Sequence, residues 1–299
     1  MRTTQLFLLA CALSLNIVFG QESSKNDPDF PPFKDRYFGE NPPGLIPKLF
    51  TPAKVSPEGA FEGGTFSLDM KTFYFTRKNG KYKQRTFFVI HYENNQWGEE
   101  TETDLKWPRF SRDGNIMYHG NKYRERTPSG WSELKSMGPP FTDKHIMGLT
   151  VSNQGTFFFD EYERPDTIGA ISYSRLINGK YEPRQKMGRE INTGTWIAHP
   201  YIAPDESYLL WDVVREDGYG QADIYISFRD KDGHWLPAKN MGPLINTTMQ
   251  ESGAGVTPDG KYLFFSRGEW KKRADGSTYW IAKPYWVDAK VIETLRPKP

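Results

Sequence analysis

Between residues 50 and 299, short runs of aromatic and β-branched residues alternate with polar turns, and the alternation repeats. Five times an aromatic residue (Phe50, Trp97, Trp131, Tyr181 or Trp235) opens a strand-like run, and 14 to 22 residues later a Ser/Ala/Thr-x-Asp/Asn-Gly type of turn follows. The turns are SLDMK at 67–71, SRDGN at 111–115, SNQGT at 152–156, APDES at 203–207 and TPDGK at 257–261, spaced by 44, 41, 51 and 54 residues. A period of roughly 40–50 residues is that of one four-stranded propeller blade.

Each unit divides into four strands. An inner strand ends at the turn (residues 63–66, 108–110, 148–151, 200–202 and 253–256). A strongly β-prone second strand follows: TFYFTR, NIMYHG, TFFFDEY, YLLWDVV and KYLFFSR. Asp113-Gly114 and Asp259-Gly260 suit tight hairpins, because glycine accepts positive φ at little cost. A third strand comes next, and the aromatic begins the outer one. No outer strand follows the last turn. It is expected instead at the N-terminus, where LFTPAK at 49–54 is similar to WLPAK at 235–239. The expected fold is therefore all-β, a five-bladed β-propeller closed by an N-terminal strand, with a six-bladed ring as the alternative count. Closure removes sheet edges that invite aggregation.

Composition changes the picture in three places. The first 20 residues carry Arg2, an apolar stretch from Leu6 to Phe19, and Val18-x-Gly20 before Gln21, the layout of a signal peptide. A periplasmic or secreted protein is expected, with lipoprotein anchoring through Cys11 as the alternative. Cys11 is the single cysteine, so a mature chain starting at Gln21 holds no disulfide, thiolate nucleophile or cysteine ligand. The net charge of +2 gives no nucleic-acid partner. The expected organisation is signal peptide 1–20, a Pro/Asp/Asn-rich linker or strap 21–44, and the propeller domain 45–299, a monomer without a transmembrane segment once the signal is removed. Asn246-Thr247-Thr248 fits a glycosylation sequon.

The best copies of the repeat, APDESYLLW and TPDGKYLFFSR with Asp223-Ile224-Tyr225, resemble the WD-like repeat of TolB-type β-propellers. There an (S/T)-P-D-G turn precedes a K-x-(I/L)-x-F-x-S strand and a D-I-Y strand follows. Asn153-Gln154 and Leu68-Asp69-Met70 depart from that turn. The resemblance implies an exported binding or scaffolding propeller. It carries over no catalytic set.

Strand order places the outer-to-inner connections and the loops between second and third strands on one face, opposite the Asp-Gly turns. Ligands of ring folds sit where concavity and convergent polar groups coincide. The candidate ligand-binding residues on that face are Glu62, Arg77, Trp107, His145, Trp196, His199, Arg215, Glu251 and Arg267, with Lys106, Arg124 and Arg164 beside them. The loops at 77–85, 122–126, 161–166, 215–217 and 267–275 hold 14 Lys/Arg against 8 Asp/Glu, which favours an anionic ligand such as an acidic glycan. No G-x-S-x-G elbow, H-E-x-x-H or phosphate loop occurs, and no cofactor or metal is expected. The leading expectation is a non-enzymatic module for a glycan, peptide or envelope protein. The alternative is a glycoside hydrolase or polysaccharide lyase using Glu62 and Glu251, since such cleavage generally needs two carboxylates. A third expectation is a non-catalytic partner of another polypeptide, attached through 21–44.

Overall fold

The computed structural model describes residues 30–56, 60–142, 145–161 and 168–298. The expected signal peptide, Cys11, Arg164 and the first part of the strap lie outside the described residues. Five antiparallel sheets follow one another in the order expected. From inside outward, blade 1 is Phe61–Phe66, Thr72–Asn79, Tyr82–Glu93 and Thr101–Glu102. Blade 2 is Arg109–Phe110, Ile116–His119, Lys122–Thr127 and Lys135–Ser136. Blade 3 is Leu149–Val151, Phe157–Glu161, Ala170–Ser174 and Gln185–Lys186. Blade 4 is Thr195–Ile202, Tyr208–Val214, Asp223–Phe228 and Lys239–Asn240. Blade 5 is Gln250–Val256, Tyr262–Lys272 and Thr278–Asp288, completed by Lys48–Leu49 from the N-terminal side.

The closure is as expected, but its register is not. Lys48 lies opposite Trp286 just as Lys239 lies opposite Ile226, and Trp286 and Ile226 occupy the same place relative to their second strands. The likeness of TPAK to LPAK instead aligned Lys54 with Lys239, six residues out of step (54 against 48). Residues 52–56 form a turn, with the Val55 and Ser56 N–H groups donating to Pro52 O. In blades 1 to 4 the repeat aromatic closes a short hairpin four residues before the outermost strand: Trp97 to Thr101, Trp131 to Lys135, Tyr181 to Gln185, Trp235 to Lys239. Phe50 does not share that position. It packs inside, fully buried among Phe61, Phe264 and Trp286.

The core lies in the wedges between blades, where aromatic rings meet edge to face or offset. Trp131 and Phe110 fill the wedge of blades 1 and 2, and Tyr181 with Phe141 that of blades 2 and 3. The C-terminal helix, Lys290–Leu295, places Val291 and Ile292 in the wedge of blades 4 and 5. The wedge of blades 5 and 1 is filled by the strap. After a single helical turn, Phe33–Arg36, the Tyr37 ring inserts against Phe66, Tyr262 and Trp286, and Phe38 stacks on Trp97 at 4.4 Å. Arg36 and the Tyr37 hydroxyl both donate to Asp259 of the fifth turn, at 2.9 and 2.7 Å. The Trp97 indole N–H donates to Asp35 O at 2.8 Å. Residues 33–38 are thus part of the ring's packing.

Asn246 is spoken for as well. Its buried amide bonds both the N–H and the C=O of Ile224, and Asn192 does the same to Ile171 one blade earlier. The sequon coincides with a repeated structural asparagine.

Candidate functional site

The loops joining second to third strands lie against the start of the next blade's inner strand, as strand order requires. Gly120 abuts Ile146, and the Ile197 N–H donates to Ile168 O at 3.0 Å. This face therefore gathers residues from neighbouring blades.

The inner strands carry a repeated irregularity there. Gly63, Trp107, His199 and Gly253 each stand four residues before the first turn residue (67, 111, 203 and 257), and all have positive φ: 124°, 41°, 49° and 65°. Blade 4 shows two register shifts, with Trp196 as well as His199 in the left-handed region. For non-glycine residues this conformation costs about 1–3 kcal/mol each and collects at functional sites. It turns Trp107 and Trp196 outward, at 44% and 51% exposure.

Two buried carboxylates hold this face together. Asp160 in blade 3 accepts the N–H groups of Met147 (2.8 Å), Gly148 (3.0 Å) and, across the wedge, His199 (2.9 Å). Asp212, at the same repeat position in blade 4, accepts the Gly253 N–H of blade 5 at 3.0 Å. The His199 ring also bonds Asp212 through Nδ1 at 3.0 Å. Gly148 is needed for this approach, since a Cβ there would lie 2.8 Å from the His199 Cα and 3.0 Å from Asp160 Oδ2.

Burial alone would lower the His199 pKa, but Asp212 and then Asp160 outweigh both burial and the repulsion of Arg109, raising it from 6.5 to about 9. Burial raises the Asp160 carboxyl, opposed by His199 and the three N–H donors, and burial lowers the Arg109 guanidinium. Because the folded His199 pKa exceeds the unfolded value, its stabilising contribution is fully present below about 6.5 and is lost as pH rises through about 9. The unfolding free energy should decline across that window. In a His199→Gln variant that part of the slope should vanish from pH-resolved urea titrations.

Trp107, Lys106, His119 and Met147 line a hollow of about 100 Å³ between blades 2 and 3, next to His199. Arg85 lies over the Trp107 ring at 4.9 Å while donating to Glu62 at 2.6 Å. Arg215 flanks the entry to blade 4 beside Gly194 and covers the Tyr225 ring at 4.9 Å. His145 is exposed just ahead of Ile146.

The remaining candidates are placed differently. Arg77 is 1% exposed, with two bonds to Val55 O, one to the Tyr82 hydroxyl and an ion pair with Glu100. Glu251 is 0% exposed, bonded to Arg267 at 2.8 Å and to the Thr247 hydroxyl at 2.7 Å. Arg267 also donates to Ile245 O at 2.9 Å and covers Tyr285. Glu62 and Glu251 are each held by an arginine on their own blade.

The sequence reading missed Asp160, Asp212, Arg85 and Arg109. A signal for the first two was present: TFFFD and YLLWD both place Asp fifth, counting from the residue whose C=O accepts the turn N–H (Thr156 and Tyr208).

Among solved structures, the chain is similar to TolB from Acinetobacter baumannii, with 13% identity and a TM-score of 0.44 over 77% of this chain and 57% of TolB. It is also similar to the tricorn protease (17%, 0.45, over 76% of this chain and 23% of that one). A third is regucalcin from Agrobacterium tumefaciens (13%, 0.40, over 80% and 74%). The chain thus spans less than two thirds of the length of TolB. No family model matches the sequence, and neither does any curated protein. These likenesses bear on fold alone. The strand pairing itself makes the chain a five-bladed β-propeller, and TolB is among the propellers it resembles.

Proposed function

We propose that this protein is an exported, non-enzymatic propeller that binds an acidic glycan across the face bearing Trp107, His199 and Trp196. The observation that supports this reading most is His199, whose ring bonds the buried Asp212 and whose backbone N–H bonds the buried Asp160, set beside outward-turned tryptophans. Tryptophan faces suit the apolar faces of sugar rings. Lys106, Arg85, Arg215 and His199 supply positive charge for carboxylate or sulfate groups. Glu62 and Glu251, the pair a glycosidase would need, are engaged by Arg85 and Arg267 and are not offered to a ligand.

Isothermal titration with polygalacturonate, and with dextran as the neutral comparison, tests the reading. Polygalacturonate should bind and dextran should not. Replacing both Trp107 and Trp196 with alanine should weaken binding by about tenfold or more without moving the unfolding midpoint, as loss of exposed aromatic anchors does. Binding should also weaken as pH passes about 9, where His199 loses its charge. Equal binding by the double variant would remove this face from consideration.

A further inference from the structure

Ring folds repeat their wedges, so a wedge that is filled shows what its empty counterpart would accept. In the wedge of blades 5 and 1, the walls from blade 5 are Phe264, Trp286 and Phe50, and those from blade 1 are Tyr92 and Trp97. The same repeat positions in the wedge of blades 3 and 4 are Phe158, Tyr173 and Met187, then Arg229 and Trp235. In the first wedge, the strap lays Tyr37 against Phe264 and Trp286, and Phe38 against Phe50 and Trp97. The strap's Asp35 carboxylate accepts the Tyr92 hydroxyl at 3.0 Å.

In the second wedge, a hollow of about 210 Å³ stands between those walls on the face of the Asp-Gly turns, room for an aromatic side chain. Its cause is local. The third turn is one residue shorter, closing from Ser152 to Thr156 where the fifth closes from Thr257 to Tyr262, so threonine replaces the tyrosine ring.

The charge of this hollow differs from that of its filled counterpart. Where Tyr92 meets Asp35, the hollow has Arg229. One Arg229 nitrogen donates to Glu206 at 2.6 Å, while Nε is buried and has no hydrogen-bond partner among the described residues. Arg175 and Lys186 stand exposed at its rim. The one acid in the lining, Glu206, is already bonded to Ser152 at 2.7 Å and to Arg229. It sits at φ 61° in the place that glycine takes in TPDGK, a strained conformation held by those bonds. Asp259, which receives the strap's Arg36, has Gln154 as its counterpart in the third turn. A second copy of the strap would therefore leave its arginine unanswered. A ligand of the same shape and opposite charge would not.

The geometry points to a docking site in the wedge of blades 3 and 4 for a short acidic peptide carrying adjacent aromatic residues, seated as the strap is seated between blades 5 and 1. An aromatic ring enters between Tyr173 and Trp235, and a carboxylate reaches Arg229, with Arg175 and Lys186 screening further acids. This site lies on the opposite face from the tryptophans of the proposed glycan surface and does not depend on it.

The test is fluorescence anisotropy with a labelled EDEYFG peptide, alongside EDEAAG and the strap's own FKDRYFG, on the full protein and on an Arg175→Glu/Lys186→Glu variant. Both substituted side chains are exposed, and the variant's unfolding midpoint confirms its fold. EDEYFG should bind at concentrations below about 1 mM, at least tenfold more tightly than the other two peptides, and at least tenfold more weakly to the variant. The proposal is overturned if EDEYFG does not bind at that concentration. It is equally overturned if EDEAAG binds as well, which would mark charge attraction without a pocket, or if the variant binds unchanged.

Discussion

Replacing Tyr37 with alanine is expected to destabilise the ring by about 3–5 kcal/mol, the range found when a large aromatic is removed from a packed core. Tyr37 is 1% exposed and touches Phe66, Tyr262, Phe264 and Trp286, so its loss opens a void between the first and last blades. It also removes a hydroxyl donor from Asp259, a carboxylate left to Arg36, the Thr257 hydroxyl and the Lys261 N–H. Burial and the nearby Asp259 push the phenol pKa upward, so the hydroxyl remains a donor throughout the accessible pH range. Tyr37→Phe keeps the ring and loses only the bond to a charged acceptor, at about 1.5–3 kcal/mol. Urea unfolding of the two variants should rank them in that order. Equal, negligible shifts would show that the strap lies on the ring without contributing to it.

The second large effect belongs to Asp160. Alanine there leaves the N–H groups of Met147, Gly148 and His199 without their acceptor inside the protein, at about 3–5 kcal/mol for breaking a buried charged network. A purely local loss and the loss of a link between blades differ in one readout. Asp160 helps to raise the His199 pKa, behind Asp212, so in the Asp160→Asn variant the ring should titrate below about 9. An NMR titration of the imidazole that stays at about 9 would mean that Asp212 alone sets its charge.

The turn repeat made the architecture legible, because five Asp-Gly-like hairpins and their β-prone strands are local signals of one period. What lay beyond reach were contacts between segments that share no period. FKDRYF at 33–38 reads as an irregular polar stretch, and nothing local shows that Tyr37 and Phe38 fill a wedge more than 200 residues away in sequence from Asp259. The TPAK likeness misled because three matching residues outweighed the pairing register, which only the sheet reveals. Of the candidate site, Trp107 and His199 were found as residues ahead of the inner strands. The bulge that turns Trp107 outward and sets the His199 ring against Asp212 was hidden, since neither is a glycine. Arg77, Glu251 and Arg267 carried the right charge at the right strand ends, but each is largely buried in an ion pair, with side chains 1%, 0% and 14% exposed, which leaves it little surface for a ligand.

The way the ring is sealed has a consequence for how the molecule is made. Lys48–Leu49 precedes every blade in the chain, yet its partner strand, Thr278–Asp288, follows all four of the other blades. Four blades can assemble as they appear, but the fifth waits for two segments more than 200 residues apart, with long-range loop closure as its slow step. During that interval the N-terminal segment must remain unpaired, and the walls that will receive Tyr37 stand open.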